Sequence, residues 1–183
     1  GDTRAVSPPR PGRPAPAAAP VLLKLAGIEA HIGRYAILHG VDLTIPKGQV
    51  TMLLGRNGAG KTTTLRTIMG LVRARAGGLL WEGRDLARLS PTAIARLGVG
   101  YVPEDMGIFG DLTVEENMRL GARVRRLDPA RLDWILDAFP ALRTFWTRPA
   151  GTLSGGQKQM LSLARVMVAP RALYLIDEPT KGL

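Results

Sequence analysis

One eight-residue string constrains the fold more than any other feature: Gly55-Arg56-Asn57-Gly58-Ala59-Gly60-Lys61-Thr62. It matches the pattern G-x-x-x-x-G-K-[ST] and lies between an apolar run, Val50–Leu54, that reads as a strand and a stretch, Lys61–Met69, that reads as a helix. A strand feeding a helix through such a turn has a specific use. The glycines let backbone amides converge on phosphate oxygens, and the positive end of the following helix points at the same place. Lys61 adds a point charge for β- and γ-phosphates, and the Thr62 hydroxyl is a ligand for Mg²⁺.

The rest of the chain supplies the sheet and helices that such a loop needs. Val21–Ile32 and Val41–Ile45 read as strands, and Pro46-Lys47-Gly48 reads as the turn leading to Val50–Leu54. Leu79–Glu82, Val99–Val102 and Ala172–Ile176 are further short apolar runs. Helix starts are marked by Ser90-Pro91 and Asp128-Pro129, each a cap followed by proline, and by the capping box Thr113-Val114-Glu115-Glu116. Leu132, Ile135, Leu136 and Phe139 recur at helical spacing and form one buried face. A last helix is expected from Gly156 to Ala169, stopped by Pro170. Strands alternating with helices give an α/β fold with a helical insert at about residues 106–150.

Composition excludes several alternatives. With no cysteine among 183 residues there is no disulfide framework, iron–sulfur site or thiolate zinc site. No run approaches the roughly 18 apolar residues of a spanning helix, and residues 1–20 lack the apolar core of a secretory signal, so a soluble chain is expected. Those 20 residues hold six of the 14 prolines and are expected to form a disordered tail, leaving residues 21–183 as one domain. The net charge of +10 suggests a polyanion, but it divides as +8 over residues 1–76, zero over 77–152 and +2 over 153–183. The excess surrounds Lys61, and aromatic residues are only 5% of the chain, leaving few stacking platforms for bases. Nucleotide phosphate is the more economical partner than nucleic acid.

Two further segments bear on chemistry. Ala172–Ile176 ends in Asp177-Glu178, 116 positions after Lys61. A buried parallel strand would give this apolar run, and its C-terminal end is where α/β sheets place ligand chemistry. Adjacent residues of an extended chain point in different directions. Asp177 is therefore read as the partner of hydrated Mg²⁺ and Glu178 as the base that orients the attacking water. Leu153-Ser154-Gly155-Gly156-Gln157 precedes a helix that Ser154 can cap, with two glycines exposing amides at its positive end as a second anion site.

In their order and spacing, these motifs resemble the ATP-binding cassette (ABC) family. Leu153–Gln157 matches the signature that separates the family from other P-loop ATPases, and the match runs from about Val21 to Leu183. The resemblance implies an ABC-type nucleotide-binding domain of the P-loop NTPase class, with an antiparallel N-terminal β-subdomain and a helical insert. It implies ATP and Mg²⁺ as cofactors, with Gly55 through Thr63 around the phosphates. It also implies a second ABC ATPase subunit, identical or different, packed head to tail so that Ser154, Gly155, Gly156 and Gln157 meet the nucleotide held by the other copy. Membrane permease subunits, an external solute-binding protein and a cytoplasmic position on the inner face of the membrane follow from the same resemblance.

Gly55–Thr64, Tyr101-Val102-Pro103-Glu104 and Leu112–Asn117 are similar to the ATP-binding subunit of branched-chain amino-acid uptake transporters, with urea and short-chain amide cassettes close to it. Glu104 stands where the family usually has Gln, and as a carboxylate it could hydrogen-bond water or approach Mg²⁺. Ile32 aligns with the adenine-stacking aromatic, and Tyr35, three residues on, is the alternative. The family pattern continues past Leu183 with a histidine that contacts the γ-phosphate. His31 and His39 do not match it, so a domain incomplete at its C-terminus is expected, with weak ATP binding and little turnover by this chain alone. Two other functions compete. One is a soluble ABC ATPase acting on nucleic acid or ribosomes, which only 93 positions between Lys61 and Ser154 disfavour because no long coiled coil fits. The other is a non-hydrolytic remnant.

Overall fold

A computed structural model describes residues 20–48, 60–122 and 126–177. The expected strand Val50–Leu54 and tail 1–19 lie outside the described residues.

The first layer is an antiparallel sheet. β1 (Val21–Ile32) turns at Gly33, where φ is +61°, and returns as β2 (Tyr35–Pro46). β3 (Ala74–Trp81) pairs with the other side of β1, and β4 (Arg84–Asp85) completes the order β2-β1-β3-β4. Leu23, Leu25, Ile28 and Ala30 of β1 are buried. A bulge between Leu25 and Ile28 holds this set on one side, with Gly27 in a left-handed conformation donating its N–H to Asp42 Oδ1 at 2.8 Å. β2 and β3 are both longer than the sequence suggested. β3 extends through Gly77-Gly78 because β1 offers a ladder partner along its length, and tertiary pairing outweighs the poor strand preference of glycine. Only glycine fits at 77, where φ is +96° and a Cβ would lie 2.4 Å from the Gly27 carbonyl oxygen.

The second sheet pairs β5 (Val99–Val102) with β6 (Leu173–Ile176) in parallel, Val99 opposite Leu173 and Val102 opposite Ile176. The helix α1 (Lys61–Ile68) contributes Leu65 and Ile68 to the same core as Val99, Tyr101 and Leu175. The sequence suggested a fully buried β6, but Ile176 is 51% exposed and Tyr174 is also exposed. Only the Leu175 side of this strand is packed among the described residues, since Leu175 joins that core and Ile176 joins none.

The helix α2 (Pro91–Arg96) starts at Ser90, whose hydroxyl accepts the Ala93 N–H. Three helices follow: α3 (Val114–Ala122), α4 (Pro129–Ala138) and α5 (Pro140–Thr144). The capping box at Thr113 and the cap at Asp128 form as the sequence indicates. α5 is an addition, because Pro140 ends α4 and occupies the first position of a new helix. The last helix, α6 (Gly155–Met167), packs with α3 to α5 around Val114, Met118, Ile135, Leu142 and Leu161, a second core separate from the first. It stops earlier than Pro170 requires, where Arg131 Nε donates to the Met167 carbonyl at 2.6 Å and so caps its end. Among the described residues no helix is long and apolar enough to cross a membrane.

Candidate functional site

Gly60 is the residue before α1 and is left-handed, with φ of +93°. A Cβ there would meet Leu38 Cδ2 at 2.8 Å and the Ile37 carbonyl oxygen at 3.6 Å, so glycine lets the chain pass under β2 into the helix. Lys61 and Thr62 open the first turn, which contains no acidic residue to offset the positive end of the helix. Lys61 makes no ion pair among the described residues. Thr63, Thr64 and Thr67 are buried. Thr64 Oγ1 donates to the Gly60 carbonyl at 2.8 Å, and Thr67 Oγ1 to the Thr63 carbonyl at 2.7 Å. The hydroxyls of Thr64 and Thr67 are therefore committed to the helix itself, whereas Thr62 directs its hydroxyl elsewhere.

That destination is Asp177. Thr62 Oγ1 donates to Asp177 Oδ2 at 2.8 Å, a contact between positions 115 apart in sequence. Asp177 is 7% exposed, and its backbone N–H donates to the Val102 carbonyl at 2.9 Å, extending the β5–β6 pairing by one residue. The parallel register then places Glu104 and Asp177 beyond the same C-terminal edge of the two strands. Glu104 itself is exposed. A helix N-terminus, a hydroxyl and a carboxylate thus meet at one strand edge.

Tyr101 belongs to this neighbourhood and was not singled out as a site residue from sequence. It stands opposite Leu175, so it shares the face of the sheet that carries Asp177 two residues later. Burial raises its pKa above 10.0, the negative charge of Asp177 adds to the rise, and Arg66 acts against it. The signal available in sequence was parity alone: a tyrosine in phase with an acidic residue on a neighbouring strand, visible only once the register is known.

The other expected residues fall into three groups. Tyr35 is 76% exposed at the tip of the β1–β2 hairpin, directly opposite Ile32, which is half exposed. Ile37, two residues further along, touches the position of Gly60, so the hairpin tip borders the start of α1. Ser154 caps α6: its Oγ accepts the Gln157 N–H at 3.2 Å, and Gln157 Oε1 accepts the Ser154 N–H at 3.0 Å. Gly155 and Gly156 are exposed at that helix end, and a Cβ on Gly156 would meet nothing within 4 Å. No hydrogen bond or ion pair among the described residues joins this end of α6 to Lys61, Thr62 or Asp177. Gly55, Arg56, Asn57, Gly58, Ala59 and Glu178 lie outside the described residues.

Comparison with known proteins agrees with this geometry. Residues 38–181 match the ABC transporter family. A probable branched-chain amino acid transport ATP-binding protein of Archaeoglobus fulgidus is 38% identical over 164 residues, covering 88% of this chain and 70% of its relative. A high-affinity branched-chain amino acid transport ATP-binding protein of Pseudomonas aeruginosa is 37% identical with the same coverage. A sulfate/thiosulfate import ATP-binding protein of Mycobacterium tuberculosis is also 37% identical, but this chain covers only 43% of its length. Among solved structures, an ATP-binding subunit of an ABC transporter superposes with a TM-score of 0.74 at 32% identity, covering 88% of this chain and 68% of that one. An ATP-binding cassette of another ABC transporter gives 0.73 at 27% identity, covering 89% and 71%. Spanning motif, fold and sequence together, the chain belongs to the ABC transporter ATP-binding family, whose members bind and hydrolyse ATP.

Proposed function

We propose that the chain is the ATP-binding subunit of an importer and uses Mg²⁺-ATP hydrolysis to drive uptake of branched-chain amino acids, peripheral to the inner face of the cell membrane. The observation that carries the nucleotide chemistry is the 2.8 Å contact between Thr62 and Asp177. It brings a helix-start hydroxyl and a nearly buried carboxylate to one point, which is a donor set of hard oxygens. Among the described residues there is no cluster of three or more His, Cys, Asp or Glu suited to a metal. The Thr62–Asp177 oxygens suit Mg²⁺, which keeps several waters and takes one or two protein oxygens together with phosphates. When bound, Mg²⁺ would neutralise charge developing on the phosphate oxygens.

Each residue then has a task. Lys61 and the amides of Gly60 and the preceding turn hold the phosphates, Thr62 and Asp177 hold the metal, and Glu178 orients the attacking water. Glu104, beyond the same strand edge, contacts water or metal. Tyr35 stacks on adenine at the hairpin tip, where its exposure leaves the ring face accessible. The N-terminus of α6 has exposed glycines and no acidic first turn, and no hydrogen bond or ion pair among the described residues joins it to Lys61. We therefore assign it to the nucleotide of a second cassette packed head to tail, and the pair to membrane permease subunits. Residues 21–183 act as one domain in this reading.

The names of the relatives covered to 70% support branched-chain amino acids, whereas the sulfate relative is matched over less than half its length. Uptake measurements decide the substrate. Cells expressing the protein with its permeases are expected to accumulate labelled leucine and valine. Glu178→Gln should reduce accumulation by about 100-fold, the scale of losing a general base. Uptake of urea, an amide or sulfate in place of leucine would reject the substrate reading and leave the ATPase reading standing.

A further inference from the structure

Arg165 lies in the last turns of α6, on the helix that begins at Ser154. Its Nε donates to the Asn117 carbonyl at 3.2 Å, its Nη1 donates to the Gly107 carbonyl, and the guanidinium lies 5.5 Å from the Phe109 ring centroid. No carboxylate forms an ion pair with it among the described residues, and burial lowers its pKa. Among the described residues its partners are all neutral, two backbone carbonyls and an aromatic ring. What it holds is the loop that follows β5.

That loop carries Glu104 and is conformationally demanding. Met106 and Gly107 are both left-handed, with φ of +68° and +63°, and the first is a region that sterics disfavour for methionine. Asp105 Oδ1 accepts the Gly107 N–H at 3.2 Å, which closes the turn locally. Beyond the turn, Asn117 is fully buried, accepts the Phe109 N–H at 2.8 Å and donates to the Phe109 carbonyl at 3.0 Å. Arg165 grips the loop at Gly107, Asn117 grips it at Phe109, and Arg165 is bonded to Asn117 in turn. Gly121 permits this, because a Cβ there would lie 2.4 Å from the Arg165 carbonyl oxygen, so α3 and α6 touch backbone to backbone.

We propose that Arg165 is a positioning residue that locks the Glu104 loop to α6, so that Glu104 and the Ser154 end of the helix move as one body relative to the nucleotide. The proposal rests on the reading of Glu104 given above. Arg131 provides the contrast: it caps the far end of α6 through the Met167 carbonyl, stabilising the helix without touching the loop.

The test compares Arg165→Met, Arg165→Lys and Arg131→Met in the full chain. Two quantities are read: amide hydrogen exchange over residues 103–112, and the factor by which Mg²⁺ strengthens binding of a fluorescent ATP analogue. In Arg165→Met, loop exchange is expected to rise about tenfold or more, the scale of a charge-assisted hydrogen bond. The Mg²⁺ factor should fall as far as it does in Glu104→Ala, and the double variant should fall no further. Arg165→Lys, with one point charge for two carbonyls, should lie between. Arg131→Met should lower the thermal midpoint and leave both readings near wild type. Loop exchange in Arg165→Met no faster than in Arg131→Met overturns the proposal, as do losses that multiply in the double variant. If Glu104→Ala alone leaves the Mg²⁺ factor unchanged, the reading of Glu104 falls, and the exchange comparison still decides whether Arg165 holds the loop.

Discussion

Thr64 and Thr67 of α1 spend their hydroxyls on their own helix, whereas Thr62 reaches across to the residue that follows β6. In the proposed function this difference between neighbours of the same type marks Thr62 as the hydroxyl that meets the ligand. Tyr101 lies on the same face as Asp177, and its phenol stays protonated beyond the ordinary range because burial and that carboxylate both oppose its ionisation. The folded-state pKa is raised above the unfolded value of 10.0, so the stabilisation is complete below pH 10 and is lost as pH rises through the folded-state value. Wild type is therefore expected to lose thermal midpoint above pH 10 more steeply than Tyr101→Phe. Parallel melting curves from pH 8 to pH 11.5 check this, and equal slopes would place Tyr101 away from the Asp177 charge.

At the scale of elements, the contact of α3 with α6 fixes the second core and the Glu104 loop together. Gly121→Ala would drive a Cβ to 2.4 Å from a backbone oxygen that has no side-chain freedom to yield. A loss of about 1–3 kcal/mol is expected, as for other overpacked contacts, measured by urea unfolding. Element boundaries show how far sequence carries. The caps at Ser90, Thr113, Asp128 and Ser154 were legible because a capping side chain bonds within three residues of itself. The extension of β3 through two glycines and the exposure of Ile176 were not, because both depend on what lies alongside the strand. The same limit governs the site. Of the residues that the proposed function uses, Lys61, Thr62, Asp177 and Ser154 stand out in the sequence as motifs, whereas the partners of Tyr101 and Arg165 are set by sheet register and helix packing.

At the scale of the molecule, the described residues pack into two cores: one joins the antiparallel sheet to α1 and the parallel pair, the other joins α3 to α6. The start of α1 belongs to the first and the start of α6 to the second, and Arg165 ties the second to the loop leaving β5. In the proposed function, Mg²⁺-ATP binds where Lys61, Thr62 and Asp177 converge. Calorimetric titration of ATP into the chain, with and without Mg²⁺, tests this most directly. The account predicts saturable binding that Mg²⁺ strengthens, a loss of about tenfold or more in Lys61→Ala from removal of a charge-assisted phosphate contact, and loss of the Mg²⁺ effect in Asp177→Asn. ATP binding that is indifferent to Lys61→Ala, or whose Mg²⁺ dependence survives Asp177→Asn, would contradict it.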